Sequence, residues 1–174
     1  MRRTLVILAL TLVALIGGLG LWGVTLPRDH RATSRVTLTA PPESVYNVMR
    51  DLGSLPAWWK DAKTVTPVPG NDGWERWREE MDGFEMTVVV AEEEPAIRFV
   101  TRIETGPDAP FGGTWTYATT LASGGGTMVT LTEEGWVADP FFRVMMKLSG
   151  PHTTIDSYLA ALGTRFGQTV TPAH

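Results

Sequence analysis

The sequence predicts an α+β fold in which a curved antiparallel sheet of about seven strands wraps around a long C-terminal helix, with two short helices after the first strand and a transmembrane helix at the N-terminus. Three observations predict it. Thr4 to Leu26 carry no charge. From Thr64 to Gly135 every local signal is of strand type, with short turns between. From Phe141 to Phe166 apolar residues recur at helical spacing. A sheet with one apolar face and a helix with one apolar stripe are stable when each buries the other.

Size and composition set the limits. The chain has 174 residues, 43% of them apolar, which suits one domain with an appendage. A net charge of −4 and the lack of a basic stripe argue against nucleic acid as a partner. With 0 cysteines there is no disulfide framework, and His30, His152 and His174 lie far apart, so no metal site is expected. Seven tryptophans are more than stability alone requires and suggest a cavity or platform.

As a helix, Thr4 to Leu26 would be about 35 Å long at ~1.5 Å per residue, enough to cross a bilayer. A cleaved signal peptide has a shorter apolar stretch of ~7–15 residues ending in a small-x-small site. This run ends in Trp22, Val24 and Leu26, which favours an uncleaved anchor with Trp22 at an interface. Arg2 and Arg3 flank one end and Arg28, Arg31 and Arg35 the other, so charge gives orientation no clear winner. The reading adopted is a single-pass membrane protein with its soluble domain extracytoplasmic.

Residues 27–33 are polar, start with Pro27 and read as a linker. Val36 and Leu38 alternate with polar neighbours as a strand. Pro42 and Glu43 open a helix carrying Val45, Val48, Met49 and Leu52, Gly53 ends it, and Ser54 to Trp59 make a second short helical piece. Strands are expected over 64–68, 74–81, 84–91, 96–104, 113–121 and 127–135. Asp82-Gly83 is a two-residue hairpin turn with positive φ at both positions, which sets Met81 opposite Phe84, Glu79 opposite Met86 and Trp77 opposite Val88. The segments 92–96, 106–113 and 123–126 supply the other turns. Asp139-Pro140 is an N-cap with proline at the first helical position. Ser149-Gly150-Pro151 interrupts the helix, giving a kink or two helices end to end. The domain therefore runs over 34–167, with an anchor over 1–26 and a frayed tail over 168–174.

This order, with the phrases "VTLTAPPESVYNVMRDLGSLPAWW" (36–59), "PFGGTWTYATTL" (110–121), "GTMVTLTEEG" (126–135) and "DPFFRVMMKLSGPHTTIDSYLAALGTRFG" (139–167), resembles the START-related helix-grip (SRPBCC) superfamily, in particular its polyketide cyclase/dehydrase and lipid-transport group. The resemblance implies a deep apolar cavity between sheet and terminal helix. It carries no catalytic motif across to this chain.

Strand alternation proposes what would line that cavity: Trp77 and Glu79, then Met86 and Val88, then Trp115 and Tyr117, then Glu133 beside Val129 and Leu131. The helix adds Phe141, Met145 and His152. Of the pair after Pro56, one tryptophan would plug the mouth and the other meet membrane or solvent, with Trp58 placed in the lining. A lone buried carboxylate is costly and finds a partner or a raised pKa. Glu79 and Glu133 are thus either polar anchors for an apolar ligand or rim charges, Glu79 pairing with Arg76, Arg78 or Arg98. His152 is either a third anchor or a residue at the helix break.

Three functions fit. The first is a membrane-anchored binder or carrier of a hydrophobic small molecule, a lipid or polyketide-like compound, reaching the membrane through residues 4–26. The second is a cyclase or dehydratase using these carboxylates or His152 as acid or base. The third is a protein-interaction module. No nucleophile–base pair or phosphate loop is visible, and no cofactor is expected.

Overall fold

The computed structural model describes residues 2–70, 72–106 and 108–174. Of the expected elements, Met1 of the anchor and Pro107 of the 106–113 turn lie outside them. The elements run α1 (Arg2–Thr25), β1 (Asp29–Leu38), α2 (Pro42–Arg50), a 3-10 turn (Leu52–Ala57), β2 (Ala62–Val68), β3 (Arg76–Met81), β4 (Phe84–Glu94), β5 (Arg98–Ile103), β6 (Phe111–Leu121), β7 (Thr127–Val137), α3 (Pro140–Ser149) and α4 (Thr153–Arg165). The α+β helix-grip architecture expected from the sequence is the one observed.

All seven strands form one antiparallel sheet in the order β1-β7-β6-β5-β4-β3-β2. Short turns make each strand pair with its successor from β2 to β7, and β1 adds beside β7. The β3–β4 register sets Met81 against Phe84, Glu79 against Met86 and Trp77 against Val88, as expected. The turn itself differs. Gly83 takes φ 92 whereas Asp82 keeps a negative φ. An L-residue pays a steric penalty in the left-handed region, so the glycine alone enters it, as in turns that need positive φ only at their second central position.

Two terminal segments also differ from expectation. Residues 29–33, read as linker, form the first half of β1 and pair with Thr132 to Trp136 of β7. The tail does not fray: Arg35 and Ala173 exchange two backbone hydrogen bonds of 2.8 and 2.9 Å. Gln168 Oε1 accepts from Thr39, and Val170 packs so tightly on Gly163 that a Cβ there would lie 2.5 Å from it. The outer edge of β1 is thereby covered at Arg35, and Pro67 lies in β2 at the other edge.

The core lies between the sheet and α4, whose Ile155, Tyr158, Leu159 and Leu162 are fully buried. The sheet contributes Leu38, Phe99, Val129 and Leu131, and α2 closes one end through Val45 and Met49. Arg50 of α2 ties that end together by bonding Glu75 and Glu93, and Glu93 also accepts from the Tyr46 hydroxyl at 2.8 Å.

The long helix is two helices. Asp139 caps α3, accepting from the Phe141 and Phe142 amides at 2.8 and 3.1 Å. Gly150 ends it with φ 93 and Pro151 lacks a donor, so α4 starts afresh. The sheet grips only α4. α3 turns away and meets α1: Gly20 faces the Phe141 ring, and any side chain at Gly23 would collide with the Pro140 carbonyl. The Arg143 guanidinium secures the junction by donating to the carbonyls of Val137 (2.9 Å), Ala138 (2.7 Å) and Leu26 (3.4 Å). The apolar side of α3, with Phe142, Met145 and Leu148, faces outward, and Leu148 is 71% exposed.

Leu148 and Leu159 belong to one stripe in the sequence but to different environments in the structure. Leu159→Ala should cost about 2–5 kcal/mol, the usual loss for a core leucine. Leu148→Ala in detergent should change stability by no more than about 0.5 kcal/mol. Chemical denaturation of both variants checks this, and equal losses would mean that α3 is gripped as α4 is.

Candidate ligand-binding cavity

Between the concave face of the sheet and the N-terminal end of α4 lies a cavity of about 160 Å³. An apolar cavity of ~150 Å³ holds a benzene-sized guest. The space thus accommodates one ring or a short stretch of acyl chain, with anything longer extending through the mouth. Phe84 and Phe111 meet edge to face at the rim, 5.5 Å between centroids.

The wall is built by strand alternation. Glu79 and Met81 come from β3, Met86 and Val88 from β4, Thr101 and Ile103 from β5, Trp115 and Tyr117 from β6, and Glu133 from β7. Aromatic rings stiffen one side. Trp59 packs against Trp115 and Tyr158, Tyr158 against Tyr117, and Tyr117 stacks on Phe99 at 4.2 Å.

The cavity's two carboxylates are treated differently. Glu133 accepts from His30 Nε2 at 3.3 Å, the histidine reaching over from the neighbouring strand β1. His30 Nδ1 is buried with no partner among the described residues. Glu79 is 7% exposed and makes no hydrogen bond or ion pair among the described residues. The arginines expected to neutralise it are engaged elsewhere: Arg76 with Asp72 and Glu104, Arg78 with Glu85, Arg98 with Glu92. Burial alone pushes the Glu79 carboxyl up to about 7. It therefore carries a proton for much of its time near neutrality and can either donate or accept. Burial also pushes the Tyr117 hydroxyl far above its ordinary value, and the Glu79 charge adds to this, so Tyr117 remains a donor. The Tyr158 hydroxyl is buried without a partner among the described residues. Groups left unsatisfied in this way are uncommon in folded proteins and mark places where a guest or water belongs.

Of the residues singled out in the sequence, Glu79, Met86, Val88, Trp115, Tyr117 and Glu133 line the cavity, whereas Trp58, Trp77, Phe141, Met145 and His152 do not. Trp58 and Trp59 exchange the roles expected of them. The 3-10 turn ends at Ala57, which sends Trp59 inward, where its Nε1 donates to Ser157 (3.1 Å), and sets Trp58 in a surface cleft against Tyr158. Trp77 is held aside because its Nε1 donates to Glu75 Oε1 at 2.7 Å and its ring covers Gly53. Phe141 and Met145 leave with α3. His152 sits beyond Thr154, the cavity's last helix residue, and faces Ser34 and the tail. Sequence reasoning missed His30, Trp59, Thr101, Phe84 and Phe111. Parity would have found Thr101, since it lies in strand 96–104; His30 lay in the presumed linker.

A helix-wrapping sheet with an aromatic-walled, partly polar hollow defines the START-like class. More narrowly, this chain belongs to the family described as polyketide cyclase / dehydrase and lipid transport, which it matches over residues 29–165. Among solved structures it is similar to the Zhui aromatase/cyclase from Streptomyces sp. R1128, at 17% identity over 80% of this chain and 94% of that one, with a TM-score of 0.65. A START superfamily protein from Mycobacterium smegmatis shares 19% identity over 81% of this chain and 98% of that one, with a TM-score of 0.62. A conserved protein from Geobacillus kaustophilus shares 13% over 83% and 100%, with a TM-score of 0.65. At these identities the likeness is one of fold. No curated protein matches the chain.

The raised Glu79 pKa makes a stability prediction. The unfolded chain releases this proton near 4.5 and the folded chain near 7. Between those values the folded state binds more protons, so the contribution is intact below pH 4.5 and is lost as pH rises through 7. Relative to Glu79→Gln, the wild type should lose about 3 kcal/mol from pH 4.5 to pH 8. Denaturation of both proteins at several pH values checks this; parallel curves would place Glu79 in water.

Proposed function

We propose that this protein is a membrane-anchored binder or carrier of a hydrophobic small molecule, a lipid or polyketide-like compound, whose ring or chain end enters the cavity beneath Trp115. The observation that carries the reading is an aromatic-walled hollow holding an unpaired, protonatable carboxyl, the usual combination of apolar walls with a few orienting polar groups. The family description and the START-like neighbours support it.

Membrane attachment is supported by α1, which is long and apolar enough to cross a bilayer. It is also supported by the exposed Phe142, Met145 and Leu148 of α3, the helix against which α1 leans. A shallow cleft lined by Ile103, Phe111, Trp115 and Glu133 runs from the cavity rim to Met146 of α3. Lipophilic guests concentrated in a bilayer would thus meet a short, largely apolar path into the cavity. In this reading the domain is extracytoplasmic, with Arg2 and Arg3 retained on the cytoplasmic side. Protease added to intact cells should then digest the domain; protection until lysis would reverse the orientation.

A second reading, acid–base catalysis of a cyclisation or dehydration, is favoured by the Glu79 pKa near 7, where proton transfer in either direction is efficient. Ligands extracted from the full-length protein purified in nanodiscs, identified by mass spectrometry, distinguish the two. A carrier returns its ligand unchanged and keeps binding after Glu79→Gln, with affinity reduced by about tenfold. An enzyme converts the ligand and loses turnover in that variant. Met86→Trp, which fills the hollow, should abolish capture while leaving the fold intact. If it captures as much ligand as the wild type, the guest lies elsewhere.

A further inference from the structure

Outside the cavity, four residues from three parts of the chain that are remote in sequence (β1, the start of α4 and the tail) converge where the tail docks on the start of α4. Ser34 of β1 is fully buried, and its hydroxyl donates to Asp156 Oδ1 at 2.6 Å. His152 Nδ1 lies 3.1 Å from the same hydroxyl. Ser34 has one proton and gives it to the carboxylate, so the contact requires a hydrogen on His152 Nδ1. On the other side His174 Nε2 donates to Asp156 Oδ2 at 3.0 Å. The two imidazoles stack face to face, 3.8 Å between centroids and 16° from parallel. Two ring N–H groups thus converge on one carboxylate and one hydroxyl that is already committed.

We propose that His152, Asp156 and His174 form a binding site for a divalent cation of the zinc type. One nitrogen from each histidine and one Asp156 oxygen all lie within 4.8 Å of one another. Zinc ligands sit ~2 Å from the metal and an imidazole aims its lone pair in the plane of its ring, so closing the site turns the His174 ring out of its stack on His152 and draws the ligand atoms together by about an ångström. The half-exposed His174 ring has that freedom, while Ser34 holds the Asp156 carboxylate in place. The set of two imidazoles and one carboxylate suits Zn²⁺ and excludes a preference for Mg²⁺ or Ca²⁺, which take oxygen ligands. On binding, each imidazole shifts its proton to its other ring nitrogen, so the rings remain neutral and the cation replaces both converging hydrogens. Ser34 keeps donating to Asp156 and so orients the carboxylate from behind, as outer partners of metal ligands do. A fourth position is left for water.

None of the three residues lines the cavity, so the site is independent of the ligand-binding reading. Its consequence is mechanical. His174 adjoins Ala173, which pairs with Arg35, so a cation bridging α4 and His174 would clamp the tail across the β1 edge.

The test uses the full-length chain in detergent micelles, without a polyhistidine tag and stripped with chelator, titrated with ZnCl₂ and separately with MgCl₂. Calorimetry should show one zinc per chain, and Tm should rise by several degrees with zinc and stay fixed with magnesium. His174→Ala, at a half-exposed position that folding does not need, should weaken zinc binding by about tenfold or more and remove the Tm rise. Asp156→Asn, checked for native circular dichroism, should do the same. Zinc binding of equal affinity in His174→Ala, or a wild-type Tm indifferent to zinc, would overturn the proposal. The second result would leave the cluster as a latch made of hydrogen bonds alone.

Discussion

The rest of the structure depends on the backbone break at Ser149-Gly150-Pro151. Without it, the stripe running from Phe141 to Phe166 would continue as one rod across the concave face of the sheet. Thr154 already lines the cavity, so a straight extension would carry Met145 and Leu148 over the mouth beside Phe84 and Phe111. Gly150 in the left-handed region and the missing donor of Pro151 release α3 instead. The hollow remains open, and an apolar helix face is left uncovered by protein. The exposed face of α3 and the unfilled space beneath Trp115 are two results of one local event.

Inside the hollow the governing quantity is desolvation. Ion pairs are abundant on this protein, and Arg50 alone engages Glu75 and Glu93. The cavity keeps one carboxyl away from all of them. Pairing Glu79 with an arginine would have held it charged and spent its hydrogen-bonding capacity on the fold. Leaving it alone among aromatic and thioether side chains keeps it switchable near neutral pH and available to whatever enters. Glu133, tied to His30, gives the opposite treatment across the same space. The two acids thus present a guest with different polar ends.

Much of this was legible in the sequence where the information is local. The Asp82-Gly83 turn and the alternation around it place Glu79, Met86 and Val88 correctly, because a pleated strand has only two faces. Parity likewise places Trp115, Tyr117 and Glu133. Trp58 and Trp59 were not separable, since the facing of each depends on how a 3-10 turn ends. Phe141 and Met145 have the same periodicity as Ile155 and Leu159; spacing identifies an apolar stripe and is silent on what covers it. His30 escaped because the segment around it alternates between polar residues on both faces. The Ser34, His152 and Asp156 contacts join β1 to the start of α4 across most of the chain, and nothing local in the sequence announces them.

The two ends of the sheet lead to a last consequence. An open strand edge invites a second copy to add its own strand, and proteins confined to a membrane plane encounter each other far more often than in solution. Here β1 is overlaid by its own tail at Arg35, while β2, the edge strand at the other border, includes Pro67, which has no N–H to offer a further strand. Both borders are therefore poor templates for polymerisation, and crowding on a bilayer would not by itself turn this protein into a fibre.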